Sequence, residues 1–317
     1  MKIGLVLSGG GGKGAYELGV WKALKELSVD KYIDVFSGTS IGAFNAALFA
    51  QDDLEKAIEL WDKVTMDSLV PLSKFNLVKR GIALSFGAKN MNFVKKYMVN
   101  SLENGVVARD GLKDIVESYI NIDKIKDLGK ICYATCTEIP DFKVKYFKLN
   151  DYKAEDAKEI IMASASLPLI YESAQINEKK YLDGGMVDNI PIQPVYGEGC
   201  DIIIVVLLSK EIRVDRSLYP NTKIIEIYPK ELEENVINGV LNLDMEAKKN
   251  RIIHGYNDTK NLLEPIMDLG VKIIEKEKEQ KQKEYLRHKD EYSTIEKLSL
   301  FLKKIKDKNN SDDAANY

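Results

Sequence analysis

Residues 2–24 read KIGLVLSGGGGKGAYELGVWKAL, and this stretch predicts the first elements of the fold. Residues 2–8 are a short apolar run of the kind that forms a buried strand, and the glycines at 9–12 end it. Beyond the glycines, apolar side chains recur at helical spacing along one face, at Tyr16, Val20, Trp21, Leu24 and Leu27. A strand, a glycine turn and a helix in this order predict the opening unit of an α/β fold.

The same alternation continues along the chain. Apolar runs predict further strands at residues 34–37, 131–137, 143–149, 180–182, 201–208 and 223–228. Helical patterns lie between them, at residues 111–119, at 154–164, and from Ile41 and Asp52 onward. Strands that alternate with helices predict a three-layer α/β/α fold with a largely parallel central sheet, followed by a helical C-terminal extension.

Three regions follow from this pattern. We expect the main domain at residues 1–230, a helical C-terminal region at 231–308 and a disordered polar tail at 309–317. Within the main domain, residues 65–108 fit either a cover over an apolar site or an ordinary irregular helical insertion. Residues 271–308 hold 12 Lys or Arg against 8 Asp or Glu. They predict either a solvated helix with a narrow apolar stripe or an amphipathic, mildly basic helix that touches an anionic membrane surface or a partner.

Composition excludes several classes of protein. A formal charge of −3 and a pI near 5.7 give no electrostatic reason to expect a nucleic-acid partner. The longest apolar run, residues 202–208, is far too short to span a membrane. Cys132 and Cys136 lie on one face of a predicted strand without nearby histidines, so we expect buried thiols and no metal. A cytoplasmic location, with peripheral membrane contact as an option, is the resulting expectation.

Gly38-Thr39-Ser40-Ile41-Gly42 forms a G-x-S-x-G pentapeptide between a predicted strand and a predicted helix. A reversal this tight needs residues without a Cβ on both sides of the serine. It would present the Ser40 hydroxyl at the carboxyl edge of the sheet, beside a helix N-terminus that favours negative charge. A turn in which Ser40 merely caps a helix fits the pentapeptide alone equally well.

The second motif is the glycine run Gly9–Gly14, whose main-chain N–H groups can converge on one anion. In acyl transfer, such a cradle is an oxyanion hole. The phosphate-binding Walker pattern fails because Gly14, rather than Ser or Thr, follows Lys13. The dinucleotide pattern G-x-G-x-x-G is met, with Asp34 about twenty residues on. However, Asp34 lies at the start of the next strand, and a ribose-binding acid belongs at its end.

The third motif is Asp183-Gly184-Gly185, which closes a short predicted strand and displays a carboxylate on a thin turn. A tight turn with a capping aspartate is the structural alternative. A catalytic centre is favoured because three individually weak signals agree.

The motifs SGGGGKGAYELGVWKAL, SGTSIGAFNAAL, ASASLP and YLDGGMVDNIP together resemble the patatin-like phospholipase family, over roughly residues 1–208. The resemblance implies that Ser40 is the nucleophile, that Asp183 activates it, and that Gly10, Gly11 and Gly12 supply the oxyanion hole. It further implies hydrolysis of fatty-acyl esters of phospholipids or other lipids, without a cofactor. The alternative is a non-catalytic module that holds a phosphate or dinucleotide on residues 9–14. Oligomeric state is not indicated.

The catalytic centre is expected to be a dyad. No histidine precedes His254, and that residue lies in a charged helical stretch, so Asp183 must contact the Ser40 hydroxyl directly. A carboxylate is a weak base at neutral pH, and it needs a desolvated site to raise its pKa. Lys13 is expected either to contact a phosphate or oxyanion or to be a simple exposed lysine.

Overall fold

The computed structural model describes residues 1–70, 107–231 and 236–313. Within these residues one sheet of eight strands forms the centre of the fold, in the order β5-β6-β3-β2-β1-β7-β8, with β4 paired to β3. The strands are β1 (Ile3–Leu7), β2 (Ile33–Thr39), β3 (Ile131–Ile139), β4 (Lys143–Lys148), β5 (Ala174–Ile176), β6 (Lys179–Asp183), β7 (Ile202–Val206) and β8 (Lys223–Ile227).

The sheet is mixed and mostly parallel, which confirms the predicted fold class. Strand β1 pairs in parallel with β2 and β7, β2 pairs in parallel with β3, and β7 with β8. The pairs β3–β4, β3–β6 and β5–β6 are antiparallel. Because Leu7 pairs with Gly38, the glycine run after β1 and Ser40 after β2 leave the sheet at the same edge.

The described helices are α1 (Ala15–Glu26), α2 (Ile41–Ala50), α3 (Leu54–Lys63), α4 (Met66–Leu69), α5 (Asp110–Tyr119), α6 (Ile122–Asp127), α7 (Ala154–Ser164), α8 (Ile192–Gly197) and α9 (Met245–Asp313). They cover both faces of the sheet. On one face, Val195 of α8 packs with Val6 and Val35 in a buried cluster. On the other, the Trp21 ring of α1 lies edge-on to Phe36 and stacks on Phe49. Burial of these apolar surfaces is the main driving force for the layered fold.

The chain forms two compact units, Met1–Leu262 and Leu263–Tyr317. The first unit continues beyond residue 230, because buried residues of α9 bind the main chain near the glycine run. These compact units do not coincide with the expected domain limits at residues 230 and 308, which stay a prediction. Helix α9 is described to Asp313, inside the region expected as a disordered tail, and residues 314–317 lie outside the described residues. No helix in the described parts of the chain is long and apolar enough to cross a membrane.

The structure differs from the expected elements in local detail. The helical pattern expected from Asp52 onward is helix α3, which begins at Leu54 and is capped by Asp53, whose side chain accepts a hydrogen bond from the N–H of Lys56. Strand β5 and helices α6 and α8 are short and lack a readable periodicity. Residues 71–106, most of the segment expected as a cover or insertion, lie outside the described residues.

Candidate active site

Ser40 occupies the sharp turn between the end of β2 and the start of α2. Its φ of 57° and ψ of −126° place it in a conformation rare for a residue with a side chain. Such strain costs on the order of 1–3 kcal/mol and is typical of functional sites.

Gly38 and Gly42 flank the turn, and neighbouring main-chain atoms leave no room for a Cβ at either position. A Cβ on Gly38 would lie 2.1 Å from the carbonyl oxygen of Gly42, and one on Gly42 would lie 2.3 Å from that of Leu7. The turn can therefore form only with glycine at both positions, which is the physical basis of the pentapeptide.

The Ser40 hydroxyl donates a hydrogen bond to Asp183. The distance from Ser40 Oγ to Asp183 Oδ2 is 2.5 Å, although 143 residues separate them in the chain. The other carboxylate oxygen, Oδ1, accepts the main-chain N–H of Gly185 at 2.8 Å. Asp183 ends β6, which pairs antiparallel to β3 beyond the part of β3 that pairs with β2. The sheet thus brings the two predicted site residues together, and Gly185 orients the carboxylate.

Asp183 is buried, with 3% of its surface exposed. Burial raises the pKa of its carboxyl to about 6, against the opposing hydrogen bonds from Ser40 and Gly185. The ionised carboxylate is therefore abundant at neutral pH and is a stronger base than an exposed aspartate.

His254 is not part of this arrangement. It lies on α9, and its ring atom Nδ1 is 3.0 Å from the carbonyl oxygen of Glu231. His254 does not line the cavity at Ser40, where the described part of the wall contains no histidine.

The main-chain N–H of Ser40 is bound by a residue to which the sequence assigns no role. Ser164, at the end of α7, accepts this N–H at 3.0 Å and donates its own hydrogen to the carbonyl oxygen of Thr135 at 2.6 Å. The Ser164 hydroxyl thereby links the Ser40 turn to β3. Its only sequence signal is its place in the ASASLP block.

Asn189 orients the glycine run from the segment that follows Asp183. The Asn189 side-chain amide donates to the carbonyl oxygen of Gly9 at 3.0 Å, and the N–H of Gly9 donates to the Asn189 carbonyl at 3.2 Å. The N–H of Lys13 donates to Gly10 at 3.1 Å. These bonds occupy the N–H groups of Gly9 and Lys13.

The three predicted oxyanion glycines are not equivalent. Gly11 and Gly12 line the same cavity as Ser40. A Cβ on Gly10 would instead lie 2.6 Å from the Leu208 side chain, so Gly10 packs against the segment after β7. The structure therefore brings two of these glycines into the cavity with the serine.

Lys13 is buried, so the expectation of a simple exposed lysine is wrong. Its ammonium group donates to the carbonyl oxygen of Leu208 at 3.2 Å. Lys13 does not line the cavity at Ser40 in the described structure. This hydrogen bond joins the glycine run to the segment that follows β7. Contact of Lys13 with an anion stays a prediction.

A buried polar network binds the end of the glycine run at Gly14. The Asn45 amide donates to the carbonyl of Gly14 at 3.1 Å and to the Glu17 carboxyl at 2.7 Å, and it accepts the Trp61 indole N–H at 3.1 Å. Burial raises the pKa of Glu17 well above its usual value, against the opposing hydrogen bond from Asn45. Sequence patterns gave no indication of this network.

The cavity beside Ser40 is lined almost entirely by apolar side chains. Helices α2, α3, α5 and α7 and the segment before α9 all contribute, with Phe44, Leu60, Trp61, Val64, Leu112, Val116, Ile161, Met162, Val240, Leu241 and Leu243 among the lining residues. The Tyr171 hydroxyl in this wall already donates to the Leu69 carbonyl at 2.8 Å. Such a cavity suits a hydrocarbon chain.

Asp34 is not placed to bind the ribose of a dinucleotide held by the glycine run. Asp34 lies at the start of β2, where its Oδ2 accepts the N–H of Ile3 at 3.4 Å. Ser40 follows the other end of the same strand, so Asp34 and the glycine run lie at opposite edges of the sheet. Cys132 and Cys136 are both buried free thiols, as predicted.

The family model for patatin-like phospholipases matches residues 5–196, more than half of the chain. This chain belongs to the patatin-like phospholipase family. The matched region contains Ser40, Asp183 and the whole glycine run.

Patatin-like relatives include the lysophospholipase NTE1 of Candida glabrata and that of Saccharomyces cerevisiae. Each is 30% identical over 213 residues, which are 64% of this chain and 10% of the relative. The chain thus spans about a tenth of the length of these relatives. Two solved structures are similar: VipD from Legionella pneumophila, at 16% identity, and ExoU from Pseudomonas aeruginosa bound to SpcU, at 18%. The first covers 83% of this chain and 66% of VipD with a TM-score of 0.45, and the second covers 82% and 52% with 0.37.

Proposed function

We propose that this protein is a serine acyl hydrolase that cleaves fatty-acyl esters of lipids. The observation that carries the proposal is the 2.5 Å hydrogen bond from the Ser40 hydroxyl to the buried Asp183 carboxylate, at the wall of an apolar cavity. Ser40 is the nucleophile, and Asp183 is the general base. The run Gly10, Gly11 and Gly12 supplies the N–H groups for the oxyanion.

In the first step, Ser40 Oγ attacks the ester carbonyl carbon as its proton passes to Asp183 Oδ2. The negative charge moves to the former carbonyl oxygen, where glycine N–H groups stabilise it, each typically by about 2.7–4 kcal/mol. When this intermediate collapses, the C–O bond to the alcohol breaks, and the protonated Asp183 returns the proton to that oxygen. The product alcohol leaves, and the acyl group stays on Ser40.

In the second step, water replaces the alcohol. The oxygen of the water attacks the acyl carbon as one of its protons passes to Asp183. When the new intermediate collapses, the fatty acid leaves and Asp183 returns the proton to Ser40 Oγ, which restores the hydroxyl. One carboxylate suffices for both steps because each step returns the proton that it removes. A pKa of about 6 suits this role, since the group must both accept and donate near neutral pH.

The cavity accounts for a lipid substrate rather than a polar ester. An acyl chain placed with its carbonyl carbon at Ser40 has apolar side chains on every described wall, from Phe44 to Leu243. Burying each methylene of the chain contributes about 0.8 kcal/mol. Because the two fungal relatives are named lysophospholipases, a lysophospholipid, which has a single acyl chain, is the first substrate to test.

Lipid substrates also require access to a lipid surface, and the C-terminal unit offers one contact. Along α9, Ile295, Leu298, Phe301 and Leu302 follow helical spacing and are each more than half exposed. We infer that this face touches the membrane surface transiently, from the cytoplasm. Co-sedimentation with vesicles of anionic phospholipid tests this: Leu298→Ser with Phe301→Ser should weaken binding, and equal binding would contradict it.

Fluorophosphonate labelling and hydrolysis of p-nitrophenyl esters and of lysophosphatidylcholine test the activity. Wild type should label and turn over, whereas Ser40→Ala and Asp183→Asn should do neither while remaining folded by circular dichroism. Ser118→Ala and Asp127→Asn, at exposed positions, are the matched controls and should keep full activity. A folded wild type that neither labels nor turns over would favour the alternative, a binding module with an intact fold.

A further inference from the structure

The first turns of helix α9 contain two buried cationic side chains. Lys248 is 2% exposed and Arg251 is 5% exposed, whereas their neighbour Lys249 is on the solvent side. Lys248 and Arg251 are three positions apart in the sequence, which places both on one face of the helix. Both lie beyond residues 5–196, the part of the chain that matches the family model.

Arg251 binds the glycine run directly. Its Nη1 donates to the carbonyl oxygen of Gly12 at 2.9 Å and to that of Asn242 at 2.6 Å, and its Nη2 donates to that of Asn238 at 2.6 Å. One planar guanidinium thus joins the glycine run to the segment that precedes α9. The guanidinium can do this because it presents several N–H donors in a rigid plane.

The segment joined in this way lies against the glycines. A Cβ on Gly11 would be 2.4 Å from the carbonyl oxygen of Val240, and one on Gly12 would be 2.2 Å from that of Asn242. The side chains of Val240, Leu241 and Leu243 also line the cavity beside Ser40. The main chain of residues 240–242 therefore packs against the glycine run, and the same segment forms part of the cavity wall.

Lys248 makes the equivalent contact with another part of the wall. Its ammonium donates to the carbonyl oxygens of Val64 at 2.6 Å and Asp62 at 3.2 Å, at the end of α3. Helix α3 contributes Leu60 and Trp61 to the cavity. The two cations of α9 thus contact different parts of the site, Lys248 the acyl-chain wall and Arg251 the glycine run.

We propose that Arg251 is a positioning residue that orients the glycine run so that its N–H groups point at the oxyanion. This inference rests on the proposed acyl-hydrolase function. A run of glycines has more conformational freedom than any other sequence, so its donors need external contacts to be preorganised. Arg251 bonds the carbonyl of Gly12, and rotation of that peptide would change the direction of the neighbouring N–H groups.

The test compares Arg251→Lys and Arg251→Gln with the exposed control Lys249→Gln. Four quantities are measured: kcat and KM for a p-nitrophenyl ester, the affinity for an alkyl trifluoromethyl ketone, and the affinity for a non-hydrolysable ether analogue of equal chain length. The ketone forms an oxyanion on Ser40, whereas the ether occupies only the acyl cavity. Arg251→Lys keeps the charge but loses the planar fork.

For both Arg251 variants we expect kcat and the ketone affinity to fall together, by about 100-fold, as displacement of catalytic groups by 1 Å typically produces. KM and the affinity for the ether should stay within about twofold, since they report uniform binding. Lys248→Met should show the opposite pattern, a raised KM and a weakened ether affinity with kcat less affected. Lys249→Gln should match wild type throughout.

Two results would overturn the positioning role. One is an Arg251→Lys protein with wild-type kcat and ketone affinity. The other is a lower kcat, a higher KM and weaker binding of both ligands to a similar degree, together with a lower melting temperature, which would make Arg251 a folding residue. Variants that do not fold at all would lead to the same conclusion. A wild type without turnover would overturn the proposed function itself, whereas an active wild type with an unaffected Arg251→Lys would overturn this inference alone.

Discussion

The hydroxyl of Ser164 lies 3.0 Å from the main-chain nitrogen of Ser40, and it accepts that N–H in a buried position. The same hydroxyl donates to Thr135 of the neighbouring strand β3. The turn that presents the proposed nucleophile is therefore bonded through this hydroxyl to β3. This bond also occupies the N–H of Ser40, so in the proposed mechanism the oxyanion depends on the glycine run.

Ser164→Ala should destabilise the protein and slow turnover. The substitution leaves the buried N–H of Ser40 and the carbonyl of Thr135 without this partner, at a cost of about 1–3 kcal/mol. Chemical denaturation and ester hydrolysis measure the two effects, and we expect kcat to fall more than KM rises. Ser118→Ala is the control, because its hydroxyl bonds to Asp114 on an exposed helix face. Wild-type stability and kcat in Ser164→Ala would contradict the role of Ser164.

The pH dependence of kcat/KM should report the titration of Asp183. Burial raises its pKa to about 6, and only the ionised form accepts the Ser40 proton. For an uncharged p-nitrophenyl ester, kcat/KM should rise about tenfold per pH unit below 6 and level off above it. Stopped-time assays between pH 5 and 8 measure this profile. A flat profile over that range would exclude a base with this pKa.

Asp183→Asn should be more stable than wild type at pH 8. The folded pKa of about 6 lies above the ordinary value of 3.8, so the folded protein binds more protons than the unfolded chain between these two values. The stability of wild type therefore rises as the pH falls through this window, and above pH 6 the cost of burying the charge, about 3 kcal/mol, is fully present. Denaturation of both proteins should show a gap at pH 8 that closes near pH 4. A gap independent of pH would contradict a raised pKa.

The sequence predicted the positions of Ser40 and Asp183 because local features determine them. Ser40 follows an apolar strand and lies between Gly38 and Gly42, whereas Asp183 ends a short strand and is followed by two glycines. In both places the change to glycine marks the end of the strand in the sequence. The sheet order then brings them together, since β6 pairs with β3 beside β2.

The supporting contacts could not be predicted because they join residues far apart in the chain. Asn189 binds Gly9 across 180 residues, and Arg251 binds Gly12 across 239. The stretch around Lys248 and Arg251 has the composition of a charged helix on the surface, and nothing in it shows that main-chain carbonyls bind two of its cations. Lys13 likewise gave no sign of its bond to Leu208.

Gly12→Ala should lower kcat without unfolding the protein's sheet. A Cβ at this position would lie 2.2 Å from the carbonyl oxygen of Asn242, so the glycine run must move away from the segment that packs against it. Loss of one oriented oxyanion donor typically costs about 100- to 1000-fold in kcat. Gly197→Ala is the matched control, because a Cβ there meets no atom within 4 Å. Turnover in Gly12→Ala equal to that of the control would remove the glycine run from the mechanism.

His254→Ala should leave turnover within about twofold of wild type, because the hydroxyl of Ser40 already has its proton acceptor in Asp183. His254 contacts the carbonyl of Glu231, so its loss should affect only the local packing of α9. Fluorophosphonate labelling rates of His254→Ala and Asp183→Asn, measured side by side with their melting temperatures, distinguish a dyad from a triad. A folded His254→Ala protein that labels as slowly as Asp183→Asn would require an imidazole in the mechanism. Labelling at the wild-type rate would mean that one buried carboxylate activates the serine.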